Sequence, residues 1–392
     1  MFFERFRESA ARLPAGLLRP GPAADPQAIA AAERALHAPL PAAYASFLRS
    51  FDGADLFHES VVIAGVGAQA PLSLRALNPI APGPSGELAF AETAAGDRLV
   101  FAPRDQAGDA NGEPAVIRVR AGSEERVRAG SGFARWLDAT VAREQMLYGP
   151  DGEFAPEVFE PDGEEVVPRV ALRQAERALR LDPESAEAHL DRGVALRRVG
   201  RGAEAAGEFA RAAELDPRNP WLWFDLGRAL LAGEPSRAAD AFRRAAEIDA
   251  GPSGARMLAW ASAAARAAGD DGAAAESRAA ALARQPALVE DLQRAVAAAR
   301  ADGDDDAAEQ ALVLVDAVDP DLARAAPTSR AGAAPPANRP SVPARLRLPV
   351  LAARAEVTAP ARPARPAPPA RPRRPGRAGP PPAGGSRRGP RR

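Results

Sequence analysis

The chain has 392 residues, 51 Lys and Arg against 52 Asp and Glu, three histidines and no cysteine. It is longer than one typical domain of roughly 100–200 residues. It has no material for a disulfide framework or a thiolate metal site, and His37, His58 and His189 are too scattered to suggest an imidazole centre. The near-neutral total conceals an asymmetry, because 15 Arg and a single acid, Glu356, lie from Ala325 onward, leaving a net charge of −15 on the chain before it.

The opening MFFERFRESAARL carries charges at Glu4, Arg5, Arg7 and Glu8, which excludes the apolar centre of a secretory signal. No stretch approaches 18 uncharged apolar residues. A soluble cytoplasmic protein with no membrane contact is expected.

Residues 1–150 read as a helical start, a set of strands and a closing helix. Helices are predicted over 27–36 and 42–51, the second with Tyr44, Phe47, Leu48 and Phe51 at apolar spacing. Pro39 and Pro41 force a break between them, and Asp52-Gly53 ends the second, where glycine can take the left-handed C-terminal conformation. Strands are predicted over 60–64, 98–101 and 115–120, with turns at Gly108-Asp109 and Asn111-Gly112. An amphipathic helix over 133–147 points Phe133, Trp136, Leu137 and Val141 inward. The order helices, strands, helix indicates an α+β domain.

Several segments of this part together resemble the SUKH superfamily, which includes the fungal Smi/Knr-type cell-wall regulators and many bacterial toxin-immunity proteins. They are the helix through Glu33 and Leu36, Leu40-Pro41, Tyr44, Phe47-Leu48, Asp52-Gly53, the LVFAPRDQAGD stretch from Leu99 and the GFARWL from Gly132. The resemblance covers about 140 residues and rests on structural positions, so it speaks to fold more than to activity; Gly53 and Asp109 themselves read as turn residues and Trp136 as core. Gly53-Ala54 stands where a double glycine is usual, and 110–114 interrupts a stretch where a strand often continues.

A Pro-, Gly- and acid-rich segment, 151–167, reads as a linker. Beyond it, helix-stop triplets recur at LDP ending on Pro183, LDP on Pro217, IDA on Ala250, RQP on Pro286 and VDP on Pro320, spaced 34, 33, 36 and 34 residues apart. Two antiparallel helices that cross closely need small residues at the crossing and one larger apolar residue to fill it. One unit supplies Gly193, Ala205, Phe209, Ala212 and Pro217, and the next Trp223, Leu226, Gly227, Ala238, Phe242 and Ala245. Two later units keep Ala274, Ala281 and Pro286, then Ala308 and Pro320, without the central Phe. Before the first unit, Ala171, Ala178 and Pro183 fit a second-position helix with no clear partner.

This period and pattern over 168–324 resemble tetratricopeptide (TPR) repeats. The resemblance implies an all-α superhelix whose inner face, built by the first helix of each pair, binds peptides or partner helices. Its groove positions fall on Arg197, Trp221, Phe224, Arg228, Arg256, Trp260 and Arg266. Aromatic rings beside guanidinium groups suit an anchored peptide with a carboxylate. The competing reading packs Trp221 and Trp260 between repeats and leaves the arginines as a solvated face.

No catalytic constellation, cofactor site or metal site is expected. Residues 65–70 imitate a dinucleotide loop after a strand, but Pro71 and Pro79 preclude the helix it requires. Ser131 between Gly130 and Gly132 lacks a nucleophile elbow and reads as a turn. Acidic clusters at Glu124-Glu125, Glu164-Glu165 and Asp304 to Asp306 read as solvated loops.

With 17 Pro and few apolar side chains, the tail 325–392 is expected to be disordered. Its arginines suit nucleic acid, the protein's own acidic body, or nothing beyond codon bias. The sequence thus points to an intracellular scaffold binding a protein or peptide partner, with toxin immunity as its most concrete version. A nucleic-acid-associated regulator acting through the tail is the alternative.

Overall fold

The computed structural model describes residues 3–80, 86–103, 112–123, 125–160 and 166–320. The expected turn at Gly108-Asp109, Asn111, Glu124, Glu164-Glu165 and the Arg/Pro-rich tail lie outside the described residues.

The N-terminal part contains α1 (Glu4–Arg12), β1 (Leu18–Pro20), α2 (Pro26–Leu36), α3 (Ala42–Leu48), β2 (Ala54–Leu56), β3 (Val61–Ile63), α4 (Leu74–Leu77), β4 (Leu88–Thr93), β5 (Arg98–Phe101), β6 (Val116–Val119), β7 (Arg126–Gly130) and α5 (Phe133–Glu144). The seven strands form one antiparallel meander in chain order, so β1 and β7 are its edges. The aromatic side chains expected to point inward do so. Tyr44, Phe47, Phe90, Phe133 and Trp136 are buried together, with Phe90 and Phe101 stacked 4.3 Å apart. Burying each such ring stabilises the fold by about 1.5–3 kcal/mol. Tyr44 is fully buried and donates its hydroxyl to Ala64 O at 2.7 Å. Burial, with Asp52 nearby, raises its pKa well above the ordinary phenol range.

The expected helix over 42–51 is shorter in the structure. It ends at Leu48, because Ser50 N and Phe51 N both turn back to Phe47 O and Asp52 N bonds across to Pro22 O. Gly53, at φ +81, begins the approach to β2 instead of capping the helix. The 133–147 helix is α-helical to Glu144 and closes with a 3-10 turn over Gln145–Leu147.

The glycine loop after β3 is filled from within. The carboxylate of Asp52, 4% exposed, accepts from Val66 N at 2.6 Å and Gly67 N at 2.8 Å. The backbone donors that would face a phosphate in a dinucleotide loop are thus satisfied by an internal anion.

The helices that follow are α6 (Pro168–Leu181), α7 (Ala186–Arg198), α8 (Gly202–Leu215), α9 (Pro220–Leu230), α10 (Pro235–Ile248), α11 (Pro252–Ala267), α12 (Asp271–Arg284), α13 (Leu288–Asp302) and α14 (Asp305–Val318). They pair as the sequence period requires, α7 with α8, α9 with α10 and α11 with α12, each pair stacking on the next. Phe209 and Phe242 are fully buried at the crossings. The last pair departs from this order: α14, not α13, packs against α11 and α12. Ser262 Oγ lies within hydrogen-bond reach of Ala274 O (3.0 Å) and Ala317 O (3.1 Å). The Asp304 to Asp306 cluster, expected in a loop, opens α14, with Asp304 accepting from Ala307 N at 2.9 Å. There, negative charge complements the helix dipole.

The helix before the first full unit does have a partner, and it comes from the N-terminal domain. Helix α5 packs on α6 as α7 packs on α8. Ala139, Ala178 and Ala188 cluster between α5, α6 and α7, and Gln174 Nε2 donates to Arg143 O at 3.1 Å. Among the described residues no helix is long and apolar enough to cross a membrane.

Candidate functional site

Two places bring chemically capable side chains together. The first is the face carrying the seven expected groove residues, on α7, α9 and α11. Trp221 meets Phe224 edge-on at 5.9 Å, Phe224 meets Phe242 at 5.4 Å and Trp260 at 6.5 Å, and Trp260 stacks on Phe242 at 5.8 Å. The guanidinium of Arg228 lies 6.0 Å from the Phe224 ring centre and 5.8 Å from that of Trp260, and that of Arg197 lies 5.5 Å from the Phe209 ring. Such contacts orient a guanidinium plane against an aromatic face.

Arg228, Phe224 and Trp260 are buried, at 6%, 6% and 4% exposure, whereas Trp221, Arg197 and Arg256 are half-buried. Burial first, and then the positive charge of Arg197, lower the Arg228 pKa to about 10, with Asp225 partly offsetting both. Asp225, itself 9% exposed, belongs to this group and was not foreseen from the sequence. The structure therefore gathers Arg197, Trp221, Phe224, Arg228 and Trp260. Arg256 sits one turn before Trp260 on α11, and among the described residues it makes no ion pair. Arg266 is set apart, because its guanidinium reaches Asp316 Oδ2 at 2.5 Å and Asp316 O at 2.9 Å on α14.

The second place is the junction of sheet and repeats. The free edge of β7 meets the corners that precede α7 and α9. Ser131 N donates to Asp182 Oδ2 at 2.7 Å, and Ser185 Oγ donates to Ala129 O at 2.8 Å. One repeat later, Arg128 N donates to Asp216 Oδ2 at 3.1 Å and Asn219 Nδ2 to Arg126 O at 2.6 Å. Ser185 and Asn219 also cap their own helices, accepting from Ala188 N and Trp221 N. Ser131, expected as a turn, is thus a fully buried junction residue.

Charges flank this edge. Arg118 pairs with Glu187 at 2.7 Å and Asp97 at 3.4 Å, and Arg143 with Asp191 at 3.6 Å. Burial opposes the charge of Glu187, but Arg118, Arg143 and Arg120 outweigh it and hold the carboxyl below its usual range. Asp216 is shifted upward by burial, with Arg128 and Arg126 opposing.

A cavity of about 150 Å³ lies between α1 and α5, lined by Arg5, Glu8, Arg12 and Asp138 among others. It is smaller than the ~300–1,000 Å³ usual for a small-molecule site. Among the described residues no group of three or more His, Cys, Asp or Glu could hold a metal ion.

Residues 23–139 match the family model described as SMI1 / KNR4 family (SUKH-1). No curated protein matches the chain in sequence. Similar solved structures include MamA, at 20% identity over 38% of this chain and 86% of that one, with TM-score 0.29. YrrB, titled a TPR protein with an unusual peptide-binding site, matches at 22% over 39% and 78%, with TM-score 0.28. PilW, a widely conserved type IV pilus biogenesis factor, matches at 25% over 39% and 71%, with TM-score 0.27. By its own sequence period and helix pairing, then, the helical part carries TPR-type repeats, and they follow a domain that matches the SMI1 / KNR4 (SUKH-1) family over residues 23–139.

Proposed function

We propose that this protein is a non-catalytic cytoplasmic interaction scaffold whose repeat face binds an acidic or C-terminal peptide of a partner protein. The observation that carries this reading is the group formed by Arg197, Trp221, Phe224, Arg228 and Trp260, with Arg256 one turn away. Aromatic walls offer an anchor its burial energy, and guanidinium forks suit a carboxylate. Arg266, the seventh residue of the face, pairs with Asp316, and a ligand carboxylate reaching it competes with that contact. In the toxin-immunity version, the N-terminal domain covers a toxin, and the net charge of −15 over residues 1–324 suits a basic target such as a nuclease.

The test is fluorescence anisotropy of labelled acidic peptides with free C-termini, titrated with the full chain. Binding that weakens when the C-terminus is amidated and is absent for a lysine-rich control supports the reading. Equal binding of all three peptides refutes it.

A second reading rests on the 15 Arg from Ala325 onward: a nucleic-acid-associated regulator acting through that segment. If ~6 phosphate contacts form on duplex DNA, log affinity falls with log salt at a slope of about −5. A chain ending at Arg324 then loses the binding.

A further inference from the structure

We propose that the N-terminal domain is the templating cap of the repeat array, with α5 completing the first helix pair and the β7 edge fixing the spacing of the first two inter-repeat corners. This goes beyond partner binding and holds whatever ligand the repeat face takes.

The argument starts from a coincidence of two periods. Asp182 and Ser185 stand one full repeat before Asp216 and Asn219, at the same position of their units. Their backbone partners, Ala129 on the strand and Ser131 just past its end, stand three residues after Arg126 and Arg128. Three strand residues span about 10 Å, on the order of the distance between packed helices. One repeat therefore advances the array by the length that three residues advance the strand.

A regular strand could not do this, because its outward-facing groups recur every two residues. The β6–β7 register shifts at Ala129, with Val116 opposite Gly130 and Ile117 opposite Arg128. That extra residue reverses which side the backbone groups face. The same donor-and-acceptor pair is thereby offered twice, three residues apart. Gly130 permits the close approach, since a Cβ there would stand 2.7 Å from Trp136 Cβ and 3.2 Å from Asp182 Oδ2.

Two consequences follow. The β7 edge, a natural template for strand addition, is occupied by the protein's own corners. The N-termini of α7 and α9 are held against a rigid sheet, while Arg197 and Arg228 lie in the last turns of the same two helices. End repeats of such arrays need a polar cap over their last apolar face, and here a separate domain supplies it.

The full chain is compared with two variants, Asp182→Ala/Asp216→Ala and Asp182→Asn/Asp216→Asn, by amide hydrogen exchange and thermal unfolding. Asparagine retains an oxygen that can accept from the strand, and alanine does not. In the wild type, both domains melt in one transition and the amides of Arg128 and Ser131 are protected. The alanine pair speeds exchange at those amides, and along α6 to α9, by about tenfold or more. The asparagine pair recovers most of the protection while α11 to α14 stay unchanged. If the alanine pair does not fold, Gly130→Ala, which leaves both corner sequences intact but crowds Asp182 and Trp136, is expected to deprotect α6 and α7. Two separate transitions in the wild type overturn the proposal. So does wild-type exchange along α6 to α9 in the alanine pair or, if that pair is unfolded, in Gly130→Ala.

Discussion

Gly227 on α9 faces the ring of Phe242 on α10 so closely that a Cβ at position 227 would stand 2.8 Å from both Cδ1 and Cε1. Gly193 and Phe209 repeat the relationship one unit earlier, at 2.7 Å from Cε1. Phe242 is fully buried between α9, α10 and Trp260 and has nowhere to move. Gly227→Leu should therefore overpack the crossing and cost ~1–3 kcal/mol, read as a lower urea midpoint with helicity retained. A melt equal to the parent's contradicts this packing.

Phe57, His58 and Glu59 adopt φ of 56, 54 and 67 in succession, a left-handed run that costs roughly 1–2 kcal/mol per non-glycine residue. It is held by Glu59 N donating to Asp55 Oδ1 at 2.7 Å and by Phe57 stacked on Tyr148 at 5.4 Å. The Glu59 side chain is exposed. Glu59→Gly relieves the strain without disturbing either contact and should stabilise the protein by about 0.5–1 kcal/mol after glycine's own entropic cost. Thermal unfolding measures it, and a loss of stability would show that the turn is not strained.

The junction titrates in two directions. Glu187 is held below its ordinary pKa, so the unfolded chain binds the extra proton in its window. Its contribution is present above roughly pH 5 and is lost as pH falls through the folded value. Asp216 is raised, so the folded chain binds the extra proton and stability increases as pH falls through that raised value. Glu187→Gln should thus be less stable than wild type at pH 7, with the gap closing toward pH 3. Asp216→Asn should show a gain at pH 7 that shrinks on acidification. Urea midpoints across this range check both, and a pH-independent offset in either variant contradicts the assignment.

The repeats were legible because their evidence is local and periodic: helix stops at a near-constant interval, with Gly and Phe at fixed offsets. The α+β class was also legible, as were the inward positions of Phe133, Trp136, Leu137 and Val141. Four strands were not. β1 and β2 are too short to show alternation. β4 is buried at four successive positions, Leu88 to Ala91, and so has no polar face to mark its period. β7, RVRAG, has Val127 as its only large apolar residue, and Val127 packs with the repeats. The corners LDPES and LDPRN were visible as helix stops, but their bonds to the sheet are long-range and leave no sequence period. The burial of Arg228 was hidden for the same reason, since it depends on Trp260 in the next repeat.

That burial decides which substitutions can test the groove. A glutamate at position 228 would lie against the rings of Phe224 and Trp260 and would disturb the fold, whereas Arg197 and Arg256 are only half-buried. The most direct measurement is calorimetric titration of an acidic peptide with a free C-terminus into the wild-type chain and into Arg197→Glu/Arg256→Glu, with helicity verified by circular dichroism. Loss of binding in a folded variant, together with weakening of the wild-type affinity as salt rises, is the predicted result. A folded double variant that binds the peptide as tightly as the wild type would contradict the account.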